Sequence, residues 1–145
     1  KELRANSTNM QTFLPYAEFS KSAKVLDMKR LGKQRVEVLQ ILQTLAKGDE
    51  AKGWKNHPAV LMWKGYENAL VMYGLTVCNE WKSRGYNDTC TSKILSFEKV
   101  ELEIVFPKWL GDESVHAAHR SNLLRKAPEY YAKYSWKESP DLPYV

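Results

Sequence analysis

The chain has 145 residues, 43% hydrophobic and 27% charged, with a formal net charge of +5. That composition describes one ordinary folded domain, and no apolar run is long enough for a membrane span or a secretory leader. The cationic excess suits a polyanionic partner. Cys78 and Cys90 lack zinc-ligand spacing, which argues against a metal site and fits a cytoplasmic protein.

Residues 1–9 are polar and patternless, and read as a tag or upstream extension. Met10-Gln11-Thr12-Phe13-Leu14-Pro15 is the expected opening of the folded domain, 10–145. A long first helix is predicted from Ser20 or Ser22 to Gly48, with Gly32 as its weak point. Leu31, Val38, Leu42 and Leu45 supply its apolar stripe. After a loop at Gly48–Gly53, Asn56-His57-Pro58 opens a second helix, with Pro in the first turn where its missing N–H costs nothing. Apolar positions from Ala59 to Trp81 keep helical spacing, Cys78 among them, so that thiol is expected buried and free. Lys82 and Arg84 suit the last turn, and Gly85 suits the left-handed residue that ends it. Val100, Leu102, Ile104 and Phe106 alternate with other residues and predict a short strand or extended segment near 100–106. A third helix is predicted from about Glu113 to Lys126, stopped by Pro128, before an aromatic, basic tail. The predicted architecture is all-α: a single compact domain with three main helices.

The stretch Arg30-Leu31-Gly32-Lys33-Gln34-Arg35-Val36-Glu37 carries the clearest chemistry. Helical spacing lines up Arg30, Lys33, Gln34, Glu37 and Gln40 on one side, placing one carboxylate among Lys29, Arg30, Lys33 and Arg35. Cations can hold a phosphodiester backbone while the acid handles protons; a solvated, internally paired face is the other reading. Arg120, Arg125 and Lys126, with His116 and His119, form a second basic cluster ahead of Tyr130, Tyr131, Tyr134 and Trp136. Rings beside cations suit stacking on bases, or else simply cover the core with their polar tips in water. His57, before a helix-opening Pro, reads as a cap or packing residue more readily than a catalyst. His116 and His119 share a helix face in a spacing that permits metal ligation, but no acidic or cysteine partner is near in sequence. The absence of a Gly-rich phosphate loop, a GxSxG elbow and HExxH argues against NTPase, esterase and zinc-protease functions. No cofactor is expected.

From His57-Pro58-Ala59 to Glu80-Trp81-Lys82-Ser83-Arg84-Gly85-Tyr86-Asn87 the chain resembles phage pyrimidine-dimer DNA glycosylases of the endonuclease V type. From Met10 onward it is similar to small bacterial proteins of that superfamily, which open Met-Gln-Thr-Phe-Leu-Pro-Tyr. The resemblance implies an all-helical domain that removes one base of an ultraviolet dimer and then cuts at the abasic sugar. Such a protein would be a DNA-repair hydrolase, lyase and endonuclease acting as a monomer on damaged double-stranded DNA, away from membranes. It implies nucleophilic attack by an N-terminal α-amine, giving a Schiff base, assisted by a Glu on the first helix. Carried over by position, the Glu is Glu37 and the amine is that of Met10, with Lys29 or Lys33 as side-chain alternatives. Arg30 stands where the family has a His, and Val36 and Gln40 stand where it has arginines. Lys29, Arg30, Lys33, Arg35, Arg120, Arg125 and Lys126 are the expected DNA contacts. A non-catalytic DNA-binding or interaction module on the same scaffold is the alternative.

Overall fold

A computed structural model describes residues 10–143. The expected extension at 1–9 lies outside the described residues. Among the described residues seven α-helices follow in chain order: α1 Phe19–Val25, α2 Met28–Lys47, α3 Pro58–Trp63, α4 Glu67–Ser83, α5 Thr91–Leu95, α6 Glu113–Lys126 and α7 Pro128–Tyr131. Short 3₁₀ segments span Gly48–Asn56 and Ala132–Tyr134, and no strand occurs among the described residues. No helix among them is long and apolar enough to cross a membrane.

The all-α class stands, but two of the three expected helices are broken. The first breaks at Leu26–Asp27 and not at Gly32, because Asp27 caps α2 by accepting the Arg30 N–H. Gly32 instead admits Trp81: a Cβ there would meet the indole at 3.0 Å. The second breaks at Lys64–Tyr66, where Gly65 turns the chain at φ +87°. His57 caps α3, its Nδ1 accepting the Ala59 N–H at 3.0 Å, as a His at that position was expected to do. Gly85 ends the α4 exit at φ +94°, and α6 runs over the residues expected of the third helix.

The alternating residues 100–106 form no strand. Val100, Leu102, Ile104, Val105 and Phe106 are all exposed, so their alternation marks no buried face. The chain here is tied down at Asn68, whose amide donates to the Lys99 and Leu102 carbonyls and accepts the Lys99 N–H.

The core lies between α2 and α4, where Leu31, Val38, Ile41 and Leu42 face Leu70, Tyr73, Val77 and Cys78. Leu45, the last of the expected stripe, is half-buried. The helices approach closely enough that a Cβ on Gly74 would sit 2.7 Å from Val38 Cγ1. Both cysteines are buried and free, and burial pushes the Cys78 thiol up to about 12.

The element that positions the site is not a helix. Residues 10–15 are irregular and almost wholly buried, so their backbone polar groups need partners from elsewhere. Side chains of the helices provide them. Gln34 accepts the Phe13 N–H at 2.7 Å, and His119 Nδ1 accepts the Leu14 N–H at 2.9 Å. His116 Nδ1 lies 2.7 Å from the Leu14 carbonyl, and Arg120 donates to the Pro15 carbonyl at 2.8 Å. Trp63 Nε1 donates to Thr12 Oγ1 at 3.1 Å. The segment is thus threaded between α2, α3, α4 and α6.

Candidate active site

The helical period of α2 turns Lys29, Arg30, Lys33 and Glu37 toward the threaded segment and the end of α6. Together with Gln11, Phe13 and Lys126 they line a cavity of about 190 Å³. Glu37 is the group that distinguishes this face from a solvated one: only 5% of it is exposed. Its Oε1 accepts from Gln34 Nε2 at 2.9 Å, and Lys33 Nζ lies 3.9 Å from its Oε2. Burial pushes the carboxyl up to about 8, against the opposing pull of Lys33, the Gln34 hydrogen bond and Lys126. A carboxyl protonated near neutrality can donate a proton, and after donating it can accept one back.

Gln34 fixes this geometry. Fully buried, it donates to the Gln11 carbonyl at 2.8 Å as well as to Glu37. Its Oε1 takes the Phe13 N–H and lies 2.7 Å from the Tyr73 hydroxyl. The amide therefore joins the threaded segment, α4 and the acid in one network. Arg30 is held at the cavity by Asp27, 3.2 Å from Nη1, and Tyr131 donates to the same carboxylate at 2.5 Å.

A family model described as pyrimidine dimer DNA glycosylase matches residues 10–94, more than half of the chain. The chain belongs to the pyrimidine dimer DNA glycosylase family. No curated protein and no solved structure gave a match. The matched span carries every lining residue of the Glu37 cavity except Lys126. The family makes the chain a DNA glycosylase by descent and DNA its substrate class.

In this glycosylase the remaining sequence candidates are dispersed. Met10 is buried and lines a separate hollow of about 210 Å³ with Gln40, Gln43, Thr44, Lys47 and Trp54. Gln40, expected on the Glu37 face, thus opens on the neighbouring hollow. Arg35 points to the α4 exit, where Nη1 is 2.6 Å from Asp88 and the guanidinium stands 4.5 Å over Trp81. Burial works against the Asp88 charge, yet hydrogen bonds from Thr91 and Arg35 hold that carboxyl well below the usual range. Arg120 is buried between the Pro15 carbonyl, Glu113 and Glu138, and those carboxylates raise its pKa further. Arg125 donates to the Pro140 carbonyl and to Asn122. His116 and His119 serve the backbone of Leu14, and no group of three potential metal ligands occurs among the described residues.

The tail rings pack mainly on one another. Tyr131 is fully buried and stacks on Trp136 at 5.5 Å, Tyr134 stacks on Trp136 at the same distance, and Trp136 Nε1 donates to Tyr16. Gln34 and Gln11 are the site residues that sequence reasoning did not assign. Their signal is tertiary, because Gln34 meets partners 21 to 39 positions away in the chain.

Proposed function

We propose that this glycosylase excises a base from a pyrimidine dimer in duplex DNA and then cleaves the strand at the abasic sugar through an amine Schiff base. The observation that carries the reading is a nearly buried carboxyl, Glu37, on the wall of a cavity lined by four cations. Lys29, Arg30, Lys33 and Lys126 hold the phosphates flanking the lesion, where charge-assisted contacts are strongest. Glu37 gives a proton to the leaving sugar oxygen and takes one back during elimination. At about 190 Å³ the cavity lies below the roughly 300–1,000 Å³ usual for drug-sized ligands, which suits one sugar-phosphate unit. The protein acts as a monomer and uses no cofactor. Arg35 and Arg120 contribute through the fold, and Arg125 lies at the margin of the contact surface.

The test is a labelled duplex with a single cyclobutane dimer, incubated with the unaltered chain and with Glu37→Gln. The unaltered chain should release the base and nick the strand. Glu37→Gln should bind the duplex within about threefold and lose cleavage by about 10²-fold or more, the usual scale of a general acid–base group. Tight binding without base release by the unaltered chain would leave a DNA-binding module on this scaffold.

A further inference from the structure

Five apolar side chains crowd the exposed segment between α5 and α6. We propose that this segment and the groove beside it dock a strand of another protein, one in which lysine or arginine alternates with apolar side chains. The surface shares no lining residue with the Glu37 cavity, and the proposal does not rest on the cleavage chemistry.

The side chains come first. Val100, Leu102, Ile104, Val105 and Phe106 are 44% to 81% exposed. Single exposed apolar residues are ordinary, but a concentration of this kind marks an interaction site. The backbone is available as well. Among the described residues no hydrogen bond reaches the N–H or carbonyl groups of residues 103–106, and all four residues are exposed. A row of unpaired main-chain groups is a template on which a second chain adds a strand. The template is held at both ends. Asn68 binds the backbone of Lys99 and Leu102, Pro107 is buried, and the Phe106 ring lies 6.1 Å from Phe19. Holding the ends lowers the ordering cost of docking.

Charge selects the partner. Between the segment and the α3–α4 turn lies a groove of about 420 Å³, with Tyr66, Leu102 and Val105 in its lining. Glu67, Glu101 and Glu103 line it too, and Lys99 is the one basic residue among the described residues that do so. None of these carboxylates is in an ion pair among the described residues. On a chain of formal charge +5 this is a local acidic field, which repels DNA phosphates and attracts ammonium and guanidinium groups. A second copy of the chain is disfavoured for the same reason, since two-fold pairing about Leu102 sets Glu101 opposite Glu103. Drawn into a pair, the segment puts Glu101 and Glu103 on one face and Leu102, Ile104 and Phe106 on the other. A strand with cations on one face and apolar side chains on the other complements both, and its main chain pairs with residues 103–106.

The experiment titrates the full chain with a lysine–valine alternating peptide of about eight residues, an ordinary strand length, and follows amide hydrogen exchange residue by residue. Bound peptide should slow exchange about tenfold or more at alternate amides within 103–106, the signature of a ladder on one edge. A glutamate–valine peptide should bind at least about tenfold more weakly. Combining Glu101→Lys with Glu103→Lys should invert that preference; both positions are exposed, and an unchanged melting temperature checks the fold. No binding of the lysine–valine peptide, binding without alternate protection, or equal binding of both peptides overturns the proposal. Protection that grows with the concentration of the chain alone makes the occupant a second copy, and protection by undamaged duplex makes it DNA. Either result overturns the partner named here.

Discussion

Glu37, the acid of the proposed reaction, is costly to the fold when ionised. Its folded-state value of about 8 lies above the ordinary 4.5. Below pH 4.5 the carboxyl is protonated in both folded and unfolded chains, and its burial carries no ionisation penalty. As pH rises from 4.5 toward 8 the unfolded chain releases the proton while the folded one keeps it, so stability falls across that window. At about 1.4 kcal/mol per pKa unit, the penalty above pH 8 is at most about 5 kcal/mol. Glu37→Gln should therefore melt close to the unaltered protein at pH 4.5 and progressively higher than it up to pH 8, measured by thermal unfolding across that range. Cleavage needing the protonated acid should persist through that window and decline as pH passes about 8. The candidate acid was legible in sequence because three-, four- and seven-residue spacings put it among cations. Its burial was not, because Gln34 beside it on α2 is tied to the distant Gln11 carbonyl, and Lys126 approaches from α6.

At the scale of elements, close helix contact decides more than propensity. Gly74 sits mid-helix in α4, where Ala ordinarily gains about 1 kcal/mol over Gly. Here a Cβ would press on Val38 Cγ1 at 2.7 Å and on Ile94 at 3.2 Å. Gly74→Ala should lower stability by about 1–3 kcal/mol despite the better propensity, and adding Val38→Ala should recover part of that loss, measured by urea unfolding. The exit motif of α4, which helped carry the family resemblance, has a structural explanation at this scale. Trp81 Nε1 donates to the Asn87 carbonyl at 2.7 Å, Tyr86 stacks on Trp81 at 4.3 Å, and Arg84 pairs with Glu80 and reaches the carbonyls closing α1. Its residues lock α4 to α1 and to the following loop. A motif can thus mark a family through its packing, apart from the helix that carries the proposed acid.

For the whole molecule, the charge excess divides into surface and interior. Lys29, Arg30, Lys33 and Lys126 converge on one cavity, whereas Arg35 and Arg120 are held by internal carboxylates. Four phosphate contacts predict that log binding constant against log salt falls with a slope of about −3 to −4 on duplex DNA. Replacing Lys29 by Gln should reduce that slope by about one. Arg120→Gln should leave the slope of the folded fraction unchanged and lower the melting temperature, because it strands the Pro15 carbonyl and Glu138. Salt titration beside thermal unfolding separates the two classes of cation.

What the sequence by itself determined was what repeats locally: the helical class, the start of α3, the bounds of α6, the apolar stripe of α2, and Glu37 among its cations. These follow from residue spacing along one helix, and spacing is a property of the chain alone. Tertiary structure decided where the long helices break, which hollow Met10 faces, and that residues 100–106 have no partner strand. It also decided which half of the cluster on α6 faces inward. His116, His119 and Arg120 turn to residues 14 and 15, while Lys126 turns to Glu37. The reason is physical: residues 10–15 are buried without regular structure, so their backbone groups must be satisfied by side chains distant in sequence. That demand recruits the basic and polar residues that, read along the chain, look free to bind DNA.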